Sequence, residues 1–220
     1  MKYIKIMALV AFAAMATIAI TASSASANAK VCSPTQGNTN VACQAGHGNV
    51  YEGEIHAVLA TGTTAKLVSG FITVTCSEST GIGSVNGTTG TGNLTGLNFA
   101  KCSSFIDPNC NASTSATNAN PWPVTVTTDG ASTSTDGLMD VNNITGEFNC
   151  AGENCKYVNE NSPAGPQPTI DGSSSTHNTA RIFATNVKLK KDEPSDPLCS
   201  NTATWSGAYS IKTPDTLVVE

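Results

Sequence analysis

The residues able to do chemistry are a set of cysteines, scattered histidines and acids, and a few aromatic rings. All eight cysteines (Cys32, Cys43, Cys76, Cys102, Cys110, Cys150, Cys155 and Cys199) lie beyond an apolar N-terminal run. Thiols either hold a metal or oxidise. Zinc sites pair Cys or His ligands at short spacings, and Cys43-x3-His47, with Cys32 upstream, is the nearest match. No second pair accompanies it, and His56 and His177 stand far away in the chain. An even cysteine count in an exported chain points to disulfides instead. Spacing favours Cys32–Cys43 and Cys102–Cys110 as local clips, followed by Cys155–Cys199 and Cys76–Cys150. Cys150–Cys155, across a hairpin, is the rival pairing.

Hydrolytic chemistry needs a nucleophile beside a base, or two placed carboxylates. Serines are abundant, but none sits in a Gly-x-Ser-x-Gly elbow. Glu52 and Glu54 flank Gly53, and Asp192 and Glu193 follow Lys188, Lys190 and Lys191. Both groups read as solvated strand ends. Asp129, Asp136 and Asp140 would meet a calcium ion only if their loops converged, and the Asp-x-Asp-x-Asp-Gly spacing is absent. The glycines from Gly81 onward are no phosphate loop, because no Lys-Ser/Thr ends the run. No catalytic residue and no cofactor are therefore expected. The remaining candidates are aromatic: Trp122, Trp205 and Tyr209, with Tyr51, are the side chains that would form a ligand-stacking platform. For Trp122 the competing reading is a core plug at the start of a strand. Pro121 and Pro123 flank it and keep it out of a sheet centre.

The elements that must position these residues follow an export signal. Lys2 and Lys5, the apolar run Ile6 to Ile20, and Ala25-Ser26-Ala27 form a signal peptide over residues 1–27. The mature chain is then expected to be secreted: extracellular, periplasmic or attached to the cell surface, with no transmembrane segment. The net charge is −5 before two leader lysines are removed. A net acidic chain with scattered lysines excludes nucleic acid as a partner.

Residues 28–50 read as an irregular N-terminal segment, and 51–220 as one β domain. Residues 51–60 alternate, with Ile55, Ala57 and Leu59 on one face. From Lys66 to Cys76, β-branched residues recur at period two, with Ile72, Val74 and Cys76 sharing a face. Gly81 to Gly96 reads as two polar strands joined at Asn86-Gly87. Residues 103–120 read as a long loop. Alternation returns at Val124 and Val126, at Leu138 to Val141, at Ile144 to Cys150 and at Cys155 to Val158. It returns again at Ile182 to Leu189, with Phe183, Val187 and Leu189 on one face, and at Trp205 to Ile211. Past the leader no window shows helical periodicity. Many short strands between Gly, Pro and Asn turns predict an all-β, disulfide-stapled antiparallel β-sandwich, with an open barrel as the alternative. Few bulky aromatics mean a thin core. Disulfides offset part of the missing burial, at roughly 2–4 kcal/mol each.

Val74-Thr75-Cys76-Ser77, the Gly/Thr-rich strand into Cys102, Pro121-Trp122, Cys155-Lys156-Tyr157 and Asp196-Pro197-Leu198-Cys199 before Trp205-Ser206-Gly207 form a pattern. It resembles exported all-β proteins common in soil actinobacteria, over residues 55–213. The resemblance implies a secreted β domain and no assigned activity. The Cys76 to Trp122 part alone is more weakly similar to the protein activator of alkane oxidation family, which is associated with surface fibres and adhesion. The expected function is a non-catalytic structural or adhesion-type β domain. Its partners would be further copies of itself, through β edges, or envelope polysaccharide. The alternative is an extracellular module that binds carbohydrate or a small ligand through exposed aromatics.

Overall fold

The structure is a computed structural model that describes residues 29–35, 37–129, 135–159, 168–172 and 179–220. The signal-peptide reading falls outside those residues. The described residues hold strands and no helix, as the period-two patterning requires. The all-β antiparallel expectation holds.

Two long hairpins carry the architecture. The first is β6 (Ile72–Asn86) and β7 (Thr91–Ser103); the second is β14 (Arg181–Asp192) and β15 (Thr202–Thr213). Shorter strands bridge them along both sides, so the sheet folds round into two layers with closed flanks. At one end the bridging strands are β4 (Glu52–Leu59), β9 (Trp122–Thr128), β10 (Gly137–Val141) and β13 (Thr169–Asp171). The antiparallel pairings β4–β6–β7–β9–β10–β13–β14–β15 return to β4 and close a first ring. At the other end β5 (Ala65–Ser69) joins β15 to β6. Opposite it, β12 (Glu153–Asn159), β11 (Thr145–Cys150) and β8 (Asn111–Thr114) run from β14 back towards β7. The Cys102–Cys110 β-bridge closes this second ring. Closure leaves few open edges to template aggregation.

The long strands change their inward face at the waist between the rings. In β6, Ile72, Val74 and Cys76 are buried, then Ser79, Gly81 and Gly83. The switch falls at Ser77 and Lys101, which interrupt the ladder equally on both strands between Cys76↔Cys102 and Glu78↔Ala100; Lys101 has φ 51°. In β14 the register shifts between Ala184 and Val187, beside Asn186 with φ 51°. An extra residue in one strand reverses which side chains face in. This is why Ala184 is buried with Val187 and Leu189, whereas Phe183, expected on that face, is only partly covered.

Residues 28–50, expected to be irregular, contain β1 (Val31–Ser33), β2 (Asn38–Ala42) and β3 (Asn49–Val50). With β16 (Val218–Val219) they form a four-stranded sheet in the order β16-β1-β3-β2. Asn, Gly and Gln give this stretch no local β signal. Its extended form comes from a distant partner, Val31 opposite Val219 and Cys32 opposite Val218. The small sheet covers the end of the first ring, where Ala29, Val31, Val126, Ile170, Ile211 and Val219 pack together. Gly87 permits the close approach: a Cβ there would lie 2.3 Å from both the Tyr51 and Val31 carbonyl oxygens. The loop expected over 103–120 likewise contains β8, which pairs with β11.

The cysteines pair in chain order: Cys32–Cys43, Cys76–Cys102, Cys110–Cys150 and Cys155–Cys199. The first and last match the expectation. Cys102–Cys110 and Cys76–Cys150 are corrected. Cys102 lies directly opposite Cys76 in the β6–β7 ladder, with their Cα atoms 3.9 Å apart. Cys110, one residue before β8, meets Cys150 at the end of β11. The rival Cys150–Cys155 fails because Cys155 stands opposite Phe148, not Cys150.

Candidate functional site

The three aromatic candidates meet inside the molecule. Trp122 opens β9 and is 1% exposed; its indole N–H donates to Ser115 Oγ at 3.2 Å. It is the core plug. Tyr209, inward-facing on β15, is 4% exposed, and its hydroxyl bonds with Ser79 at 3.1 Å. Burial pushes its pKa up to about 12, against smaller opposing effects of Ser79 and the Trp205 N–H. Trp205 is half-buried and packs edge-on to Tyr209, with ring centroids 6.2 Å apart. Its N–H is buried and points towards the Tyr209 oxygen without reaching hydrogen-bond geometry. Tyr51 is also buried and donates to the Glu54 carbonyl at 2.6 Å. These rings do not form a stacking platform on the surface.

Instead they partition the interior. Trp122, Trp205, Leu97 and Ile144 line cavities on both sides of the waist and so form a septum. In the first ring lies a cavity of about 110 Å³, walled by Ile55, Leu94, Val124, Met139, Ile182 and Tyr209 among others. A smaller one of about 50 Å³ lies in the second ring, against Leu67, Phe99 and Leu189. Protein interiors hold few voids larger than a water. Left empty, a void as large as the first costs on the order of 2–3 kcal/mol.

The polar candidates have structural partners. Cys32, Cys43 and Glu220 lie close together, but both sulfurs are in a disulfide and offer no thiolate to a metal. His47, the remaining member of the zinc-like spacing, contacts Glu220 at 2.6 Å. Glu220 also accepts from the Gln44 N–H, which ties the β2–β3 connection to the residue after β16. Glu54 pairs with His56 and Glu52 accepts from Thr88. Asp192 pairs with Lys156, and Glu193 with Lys191. Among the described residues Asp129, Asp136 and Asp140 do not converge on one point. Asp136 accepts instead from the Gly172 N–H.

Sequence reasoning missed the outer end of the second ring. Phe71 in the β5–β6 connection, Phe105 and Ile106 between β7 and β8, and Leu198 between β14 and β15 all lie there. Phe71, Phe105 and Leu198 are 61%, 76% and 55% exposed. Two disulfides tie loops of this end to the ring, Cys110–Cys150 and Cys155–Cys199, and Cys76–Cys102 joins β6 to β7 beneath them. Carboxylates brace them further. Asp107 accepts from the Ala151 and Asn109 N–H groups at 2.7 and 2.8 Å, and these bonds hold its pKa below the usual aspartate range. Asp196 accepts from the Asn154 N–H. The Tyr157 hydroxyl joins Ser69 to the Ser200 carbonyl beneath them. The sequence signal was there for Phe105, Ile106 and Leu198, apolar residues at loop positions near cysteines; Phe71 falls inside the strand expected from Lys66 to Cys76, which the structure breaks into β5 and β6 at Gly70 and Phe71.

No helix among the described residues is long and apolar enough to cross a membrane. The four disulfides place the chain in an oxidising environment, extracellular or periplasmic. Comparison with protein-family models, curated proteins and solved structures yields no match.

Proposed function

We propose that this chain is a non-catalytic structural or adhesion-type domain of the extracellular space or cell surface. Its contact face is the apolar end of the second ring, and the partner is a second copy of the chain. The observation that carries this reading is the exposure of Phe71, Phe105 and Leu198 at one end of the ring, where disulfides anchor the loops of Phe105 and Leu198. Large exposed apolar side chains gathered at one end mark an interaction surface. Rigid loops lose little entropy when they bind. The surroundings favour a like partner. Lys156 beside Asp192 and Lys191 beside Glu193 give a rim of mixed sign. Under a two-fold axis, the same patch faces itself and acids of one copy can meet lysines of the other. Pairing through β edges, the other route to self-association, is restricted by ring closure. Among the described strands, β2 and β16 stand at the two edges of the small sheet, and β8 ends the order of the large one.

Sedimentation velocity on the oxidised mature chain, from about 1 to about 100 µM, tests the reading, because association must depend on concentration. The wild type is expected to shift from monomer to dimer across this range. Phe71→Ser/Phe105→Ser/Leu198→Ser is expected to stay monomeric with an unchanged fold. A wild type that is monomeric throughout, or a triple variant that still dimerises, would overturn the proposal.

A further inference from the structure

We infer that the cavity of the first ring is a binding site for one small apolar molecule, a single ring or a short hydrocarbon. It is separate from the contact end proposed above, on the other side of the septum. The first argument is composition. The wall is built from carbon: Leu94, Leu97, Val124, Met139 and Ile182 face the space, with the Trp205 ring across one side.

The second argument is that too little there can hold water: among the described residues the one buried unpaired donor of the wall is the Trp205 N–H. A buried water needs two to four polar partners. The Tyr209 hydroxyl is already bonded to Ser79, and Ser79 in turn donates to the Asn98 carbonyl at 2.8 Å. Dry apolar cavities take apolar guests, and an engineered one of about 150 Å³ binds benzene or xenon. The volume here, about 110 Å³, is of the same order.

The third argument is the local sequence. Gly81 is inward-facing, with an ordinary backbone conformation, and a Cβ on it would meet nothing closer than Ala57 Cβ at 3.9 Å and Leu94 Cδ1 at 4.0 Å. A larger residue would fill the space, yet the wall is left open at that point. The neighbouring cavity of about 50 Å³ shares the septum side chains, so a rotamer change of Ile144 or Leu97 lengthens the site. The cap over this end of the ring carries its own disulfide, Cys32–Cys43, and no disulfide joins it to the ring. It can therefore part from the ring to admit a guest without breaking a covalent cross-link.

The test uses the oxidised mature chain with labelled methyl groups. Methyl spectra are recorded under xenon pressure and, separately, with benzene. Saturable shifts are expected at the methyls of Leu94, Leu97, Val124 and Met139, with the two probes competing for them. Gly81→Val, which fills the space, is expected to weaken both probes at least tenfold. Should that variant not fold, Leu94→Ala enlarges the cavity and is expected to tighten benzene several-fold. Shifts that never saturate, that cluster instead around Phe71 and Leu198, or that survive undiminished in a folded Gly81→Val would overturn the inference. So would a folded Leu94→Ala that binds benzene no better than the wild type.

Discussion

Gly81 and Gly83 lie two residues apart on the same strand, face the same interior and line the same cavity. The structure nevertheless predicts opposite outcomes for the same added methyl group. At Gly81 the new Cβ has only ordinary contacts, the nearest at 3.9 Å. Burying a methyl in apolar surroundings contributes about 0.8 kcal/mol, and restricting the unfolded chain adds roughly 0.4–1 kcal/mol. Gly81→Ala should therefore stabilise the fold by about 1–2 kcal/mol. At Gly83 the Cβ would sit 2.6 Å from the Asn93 carbonyl oxygen and 3.3 Å from Leu94 Cα. Both are backbone atoms of the paired strand, at the point where the β6–β7 register shifts. They can move only if the ladder moves, and overpacking of that kind costs roughly 1–3 kcal/mol. For a domain of this size each kcal/mol moves the midpoint by about 2–4 °C. Differential scanning calorimetry should find Gly81→Ala melting about 2–8 °C above the wild type and Gly83→Ala melting several degrees below it. A Gly81→Ala protein that melts lower, or a Gly83→Ala protein that melts higher, would refute the interior geometry on which the cavity argument rests.

Two further outcomes follow from the cross-links and the buried phenols. Because the disulfides close consecutive loops, each constrains a separate part of the unfolded chain. Replacing Cys155 and Cys199 by alanine, which opens a separation of 44 residues, should cost about 4 kcal/mol in urea unfolding. Replacing Cys32 and Cys43, with a separation of 11, should cost about 3 kcal/mol, and a reversed order would contradict the loop-closure account. The three tyrosines of the described chain all have raised pKa values, chiefly from burial, and Tyr209 reaches about 12. A raised phenol contributes stability that is complete below its unfolded pKa near 10 and is lost as pH climbs through the folded value. Titration at 295 nm should then show little tyrosinate at pH 10 and a rise coupled to loss of structure by about pH 12. Ordinary titration near pH 10 with the fold intact would count against the buried Ser79–Tyr209 pair.

The alternation of small and β-branched residues made the strands legible, because a strand buried on one face writes its period directly into the chain. Ile72, Val74 and Cys76 did so, as did Phe148 and Cys150. The prolines around Trp122 marked it correctly as a plug. What stayed hidden were features that only a distant partner creates. Val31 to Ser33 is extended because Val218 and Val219 lie beside it. Asn111 to Thr114 is a strand because β11 accepts it. The ladder break at Ser77 and Lys101 and the bulge at Asn186 reverse the inward face without any local residue that announces them, and so Phe183 does not share the face of Val187 that its spacing predicts. Cys76–Cys102 could have been read. The two cysteines stand eleven and twelve residues from the ends of the Gly87–Gly90 turn, so a simple hairpin brings them together with one bulge to spare. The interior fate of Trp205 and Tyr209 followed from ring closure, which no local pattern records.

Peptide mapping of the oxidised chain under non-reducing conditions addresses the stapled double ring most directly. The predicted result is four cross-linked pairs in chain order: Cys32–Cys43, Cys76–Cys102, Cys110–Cys150 and Cys155–Cys199, with no free thiol. A Cys102–Cys110 peptide would contradict it, because it would leave Cys76 and Cys150 without the partners they meet, and so would a Cys150–Cys155 peptide, because Cys155 stands opposite Phe148.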